Sequence, residues 1–94
     1  MAIGRTNYVK VETIEEWKLL CELENYEFIE GYIEGDVGFE TDCNIDTDNI
    51  LPLFAKLLKD DEKMIFTFID EDDVFGYSIG IDNKLNEEHK GLEF

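Results

Sequence analysis

Between Leu19 and Ala55 the chain runs thirty-seven residues without a lysine or arginine, and from Glu22 to Asp48 it places ten carboxylates in that span. Phe28, Ile29, Tyr32, Ile33, Phe39, Leu51, Leu53 and Phe54 lie in the same window. Such a stretch can fold only with its acids outward and its rings inward, because an unpaired carboxylate in a packed interior is prohibitively costly. It therefore predicts amphipathic elements that cover a core on one side and present a one-signed field on the other.

The whole chain carries 24 acidic against 8 basic residues, a formal charge of −16 on 94 residues. Small soluble domains do well at net charges of roughly 2 to 8 in magnitude, and self-repulsion beyond that range disfavours the compact state. An excess of this size implies a use. A hydrophobic fraction of 44%, with seven Phe, four Tyr and one Trp, excludes a disordered acidic segment, which lacks the apolar surface to offset chain entropy. The length fits a single domain over residues 1–94. No apolar run of signal-peptide or membrane-span length is present, which predicts a cytoplasmic protein with no membrane partner. Cys21 and Cys43 form no C-x-x-C pair and have no histidine near in sequence, so both read as reduced core thiols.

Tyr8-Val9-Lys10-Val11 alternates as a short strand would. Thr13-x-x-Glu16 is a capping-box pattern opening a helix from Ile14 to Leu23, with Ile14, Trp17, Leu20 and Cys21 as its stripe and Asn25 as its end. Tyr26–Glu34 and Val37–Cys43 read as a hairpin about a Gly35-Asp36 turn. That register pairs Tyr32 with Phe39 and Phe28 with Cys43, leaving Glu27, Ile29, Gly31, Ile33, Gly38, Glu40 and Asp42 on the other face. Asp46-Thr47-Asp48 caps a second helix, with Pro52 in its first turn and Ile50, Leu53, Phe54, Leu57 and Leu58 inward. A second hairpin, Met64–Ile69 with Val74–Ile81, turns on Asp70-Glu71-Asp72-Asp73 and pairs Ile69 with Val74. The sum is an α+β two-layer sandwich, two helices on an antiparallel sheet of four to five strands in the order (β)-α-β-β-α-β-β, with residues 1–7 and 83–94 irregular.

Chemistry is sparse in this pattern. His89 is the single histidine, and neither cysteine has an evident base, so no catalytic residue is assigned and the chain reads as a non-enzyme. Asp42-x-Asn44-x-Asp46 opens like a calcium loop, but Thr47 stands where glycine is needed and Leu53 where the bidentate glutamate belongs. The Asp70–Asp73 run lacks that spacing too, so no metal or cofactor is expected. Direct nucleic-acid binding is excluded by charge, since a phosphate surface needs clustered Lys or Arg.

Clustered acids favour recognition of a basic partner over a merely solubilising coat. Alternate residues on a strand stand about 6.6 Å apart, and duplex DNA presents a phosphate roughly every 3.4 Å per strand, so carboxylates on a sheet can imitate a phosphate track. The expected contact set is Glu22, Glu24, Glu27, Glu30, Glu34, Asp36, Glu40, Asp42, Asp70, Glu71, Asp72 and Asp73, with Ile29 and Ile33 as apolar anchors. The expected partner is a basic nucleic-acid-binding protein, a nuclease or a CRISPR or restriction effector, blocked by a small DNA-mimicking inhibitor of phage type. An immunity protein against a basic nuclease toxin uses the same physics, and a non-inhibitory assembly partner is the reading from another class. Monomer and homodimer are both compatible with the pattern.

Overall fold

The computed structural model describes residues 2–91. In chain order these form β1 (Ala2–Thr6), β2 (Val9–Lys10), α1 (Ile14–Glu24), β3 (Glu27–Glu30), β4 (Asp36–Thr41), α2 (Thr47–Ala55), β5 (Lys63–Asp70), β6 (Phe75–Asp82) and β7 (Glu87–Gly91). The fold is α+β, with two helices and one open antiparallel sheet in which β3 pairs β4, β4 pairs β1 and β2, and β1, β5, β6 and β7 follow in line. No helix among the described residues is long and apolar enough to cross a membrane.

β1 and β2 lie on the same side of β4. Gly4 and Arg5 face Thr41 and Glu40, and after a one-residue slip Val9 and Lys10 face Val37 and Asp36. The two segments are thus one strand interrupted by a bulge at Asn7-Tyr8. Side chains mend the gap: Thr6 Oγ1 accepts the Phe39 N–H at 3.0 Å, and Asn7 Nδ2 donates to the Lys63 carbonyl at 3.0 Å.

Four to five strands are therefore too few, and both ends expected to be irregular carry strands. Residues 2–6 occupy the middle of the sheet, and 87–91 form its edge; residues 92–94 of the predicted tail lie outside the described residues. Neither strand shows apolar alternation. β1 turns the small Gly4 and Thr6 inward, and every residue of β7 is exposed, so its order comes from the backbone ladder to β6.

The inward face carries Val37, Phe39, Met64, Phe66, Phe68, Ile79 and Ile81, and α1 and α2 cover it with Trp17, Cys21, Leu51, Phe54 and Ala55, joined by Leu58 just after α2. Phe39 is the hub: its ring lies 4.6 Å from Phe54, 4.9 Å from Tyr26 and 6.1 Å from Trp17. The Trp17 indole N–H, which burial would otherwise leave unpaired, donates to the Gly38 carbonyl at 3.1 Å.

α1 ends as predicted at Asn25, which takes a left-handed φ of 60°; the Tyr26 N–H reaches the Cys21 carbonyl at 2.8 Å and the Asn25 N–H the Glu22 carbonyl at 3.3 Å, the Schellman arrangement. The expected capping box does not form, since the Thr13 hydroxyl makes no cap bond. Tertiary pairing sets the helix entry instead, through Glu12 N–H on the Leu57 carbonyl at 2.9 Å and the Val11–Leu58 bridge. That bridge also ends α2 at Ala55. Asp46 caps α2 through the Asn49 N–H at 3.3 Å. Pro52 lies inside this helix, not in its first turn, and its buried residues are Leu51, Phe54 and Ala55, with Leu58 buried beyond its end and Leu53 exposed.

Both hairpins keep the predicted faces but slip by an even number of residues. Phe28 faces Phe39 and not Cys43, because the turn is Ile33–Asp36, closed by Asp36 N–H on the Ile33 carbonyl at 3.1 Å with Gly35 at φ 92°. Positive φ at the second central residue is the type II signature. Residues 31–35 then form the loop, and Tyr32, expected opposite Phe39, is fully exposed at its tip beside Ile33. In the second hairpin Asp70 faces Phe75 and Ile69 faces Gly76. The Asp70 carboxylate accepts the N–H groups of Asp72 at 3.1 Å and Asp73 at 3.4 Å, which draws Asp70 into the strand and moves the turn to residues 71–74.

Candidate functional site

One row crosses the uncovered face of the sheet, and the registers place Glu27, Glu40, Arg5, Thr67, Ser78 and Lys90 in sequence along it. Charge along this row runs from two carboxylates at the β3 edge to a lysine at the β7 edge. Glu27 and Glu40 stand directly opposite each other, a cross-strand like-charge pair that works against the sheet. They share a hollow with Asp42, Asn25, Thr41 and Ile3.

On the other side of Ile3 the same face opens into a groove of about 440 Å³ between β1 and β5, walled by Ile3, Ile65 and Ile69 and edged by Arg5, Asn7 and Glu71. Ile3 and Ile65 are 43% and 42% exposed there, a large apolar surface for a sheet centre with no layer over it. Alternation puts them there: odd residues of β5 point outward while Met64, Phe66 and Phe68 fill the core. An apolar strip flanked by carboxylates has the make-up of a protein interface, a dry centre inside a charged rim.

Arg5 lies in the middle of this face. Its guanidinium donates to the Tyr8 hydroxyl at 3.1 Å and lies 5.8 Å from the centre of that ring. It is held sideways and does not close an ion pair with Glu40, its neighbour in the register, among the described residues.

The structure brings Glu27, Glu40 and Asp42 together and sets Glu71 at the far rim of the groove. Glu22 and Glu24 belong to α1, on the opposite layer. Glu30 and Glu34 flank the loop tip, where Ile33 is 65% exposed. Ile29, the other expected anchor, is half-buried, its Cδ1 lying against Gly38. Asp36 is already engaged: its carboxylate meets Lys10 Nζ at 2.7 Å, a hydrogen bond that raises the lysine above its ordinary value. Asp70 is committed to its own turn, and Asp72 and Asp73 are exposed within it.

The outward isoleucines of β5 could have been read from sequence, since they alternate with the core-facing residues, whereas Ile3 was hidden by the weak pattern of β1. Cys21 is buried and Cys43 is exposed, which corrects the expectation of two core thiols. Burial pushes the Cys21 thiol up to about 11. His89 lies on β7 with Nε2 3.1 Å from the Glu87 carboxylate. Among the described residues no group of three or more His, Cys, Asp or Glu is placed to hold a metal ion. The chain matches no family model, no curated protein and no solved structure.

Proposed function

We propose that this chain is a small acidic inhibitor that occupies the basic nucleic-acid-binding surface of a target protein by charge imitation. The observation that carries the reading is the Glu27–Glu40 pair, set opposite each other on the uncovered sheet face beside the exposed isoleucines of the groove. Folding alone disfavours such a pair, and a cationic partner converts it into a gain. Ile3, Ile65 and Ile69 supply the desolvated anchor that rim charges by themselves do not. Electrostatic steering makes association fast and salt-sensitive.

Capture from lysate at low salt with the tagged chain, repeated with excess duplex DNA, tests this reading. One basic nucleic-acid enzyme should be recovered and then displaced by DNA, and the triple variant E27K/E40K/D42K should lose it while keeping the wild-type circular dichroism. Retained binding by that folded variant removes this face from the proposal, and a partner insensitive to DNA overturns the imitation.

A further inference from the structure

β7 is an edge strand, and among the described residues nothing pairs with its outer side. The ladder to β6 fixes which backbone groups point that way. Asp82 N–H donates to the Asn86 carbonyl at 3.3 Å, one step beyond the Ile81–Glu87 pairing. Bonded and non-bonded pairs alternate along an antiparallel ladder. Glu88 and Lys90 therefore bond inward to β6, and Glu87, His89 and Gly91 turn their N–H and C=O groups outward.

We infer that two copies of this chain join through β7, antiparallel about a two-fold axis at His89, to make one continuous sheet. Opposite His89 then stands the partner's His89, and opposite Glu87 the partner's Gly91, each an outward-facing pair that exchanges backbone hydrogen bonds. Glu88 meets the partner's Lys90, and Lys90 the partner's Glu88. These fall at non-bonded positions, where facing Cα atoms are only about 4.5 Å apart and side chains approach most closely. Within one chain Glu88 lies between Lys63 Nζ at 2.8 Å and Lys90 Nζ at 3.7 Å on the same face, and the contact exchanges the longer, exposed pair for one across the axis.

No neighbouring register works. Moving the axis to Glu88 sets that glutamate against itself, and moving it to Lys90 does the same with the lysine. An axis between two residues sets outward groups against inward ones, so the ladder cannot form. Charged edges ordinarily block pairing; here the order Glu-Glu-His-Lys-Gly permits a self-complementary alignment at His89 and sets like charges together when the axis moves to Glu88 or Lys90. The opposite edge of the sheet, β3, carries only Glu27 and Glu30 as charges and repels a copy of itself. Joining at β7 also keeps the two lysine-free acidic edges at the far ends of the assembly.

Sedimentation equilibrium of the full chain over a range of concentrations tests this. The expected result is a reversible dimer of twice the 11.0 kDa chain mass. H89P removes an outward N–H on an edge where proline is tolerated. With two backbone bonds lost at the two-fold axis, it should weaken the dimer on the order of tenfold or more. K90E and E88K should each be monomeric, and an equimolar mixture of these two variants should recover a dimer, because every facing pair is then oppositely charged. A wild type that stays at 11.0 kDa throughout, or a mixture that stays monomeric while both variants are folded, overturns the interface. Should H89P fail to fold, the charge-exchange mixture decides alone.

Discussion

Asn7 and Ile65 are joined twice across the bulge: the Ile65 N–H donates to the Asn7 side-chain oxygen at 2.8 Å, and the Asn7 N–H donates to the Ile65 carbonyl at 3.2 Å. The side-chain amide stands in for a backbone carbonyl that the bulge has turned away, so the β1–β5 ladder continues past the point where the strand breaks. Asn7→Ala removes this side-chain bond and the one its amide donates to the Lys63 carbonyl, and should therefore cost roughly 1 to 3 kcal/mol, the net worth of two exposed hydrogen bonds. Urea unfolding measures the loss, and amide exchange at Ile65 should accelerate with it; unchanged protection at Ile65 contradicts the account.

Glu40 separates stability from recognition. Glu40→Gln keeps the size of the side chain and removes the repulsion from Glu27, so folding should gain about 0.2 to 1 kcal/mol. The same variant should bind the basic target more weakly and with a smaller salt dependence. A loss of stability in thermal unfolding contradicts the like-charge argument.

Two glycines of the sheet should respond differently to alanine. A Cβ on Gly4 would sit 2.6 Å from the Phe66 ring, buried and rigid, whereas one on Gly80 would meet the Cε of exposed Lys63 at 2.5 Å. The lysine can swing away. Gly4→Ala should cost roughly 1 to 3 kcal/mol by overpacking, and Gly80→Ala should lie near neutral; equal midpoints in denaturant contradict the distinction.

The thiols should differ in reactivity. Cys43 is exposed and Cys21 is buried, so a maleimide at neutral pH should label Cys43 promptly and Cys21 only at the rate of unfolding. Rapid double labelling of the native protein rules this out.

Alkaline pH should unfold the protein progressively. Burial raises Cys21 from 9.0 to about 11 and Tyr26 from 10.0 to about 12. Both native groups stay neutral where the unfolded chain ionises, so their contribution is complete below the unfolded values and is lost as pH rises through the folded ones. Stability should fall between pH 9 and 12, and Cys21→Ala should flatten the lower part of that decline. A thermal midpoint constant across the window contradicts the burial of both groups.

The fold class, both helices and the inward faces of both hairpins were legible because bulky apolar residues recur at a fixed period, as in Trp17 and Cys21 or Met64, Phe66 and Phe68. Registers were not, because they depend on turns: an even slip leaves every side chain on its predicted face, and only the positive φ at Gly35 and the Asp70 turn distinguish the alternatives. β1 and β7 escaped because a strand held by backbone bonds on both sides needs no large side chains, and one held at an edge needs no buried ones. At the candidate site the trio Glu27, Glu40 and Asp42 followed from alternation alone. The apolar neighbours of that trio did not, since Ile3 comes from a segment without pattern and Ile29 settled against Gly38.

Placing β1 between β4 and β5 has a consequence for synthesis. Gly4 finds its partners at Thr41 and Phe68, so β1, made before either, cannot be enclosed until β5 has been synthesised. Most of the sheet depends on that late insertion, which makes for slow, high-contact-order folding and leaves open strand edges in the nascent chain as a site for chaperones or misassociation.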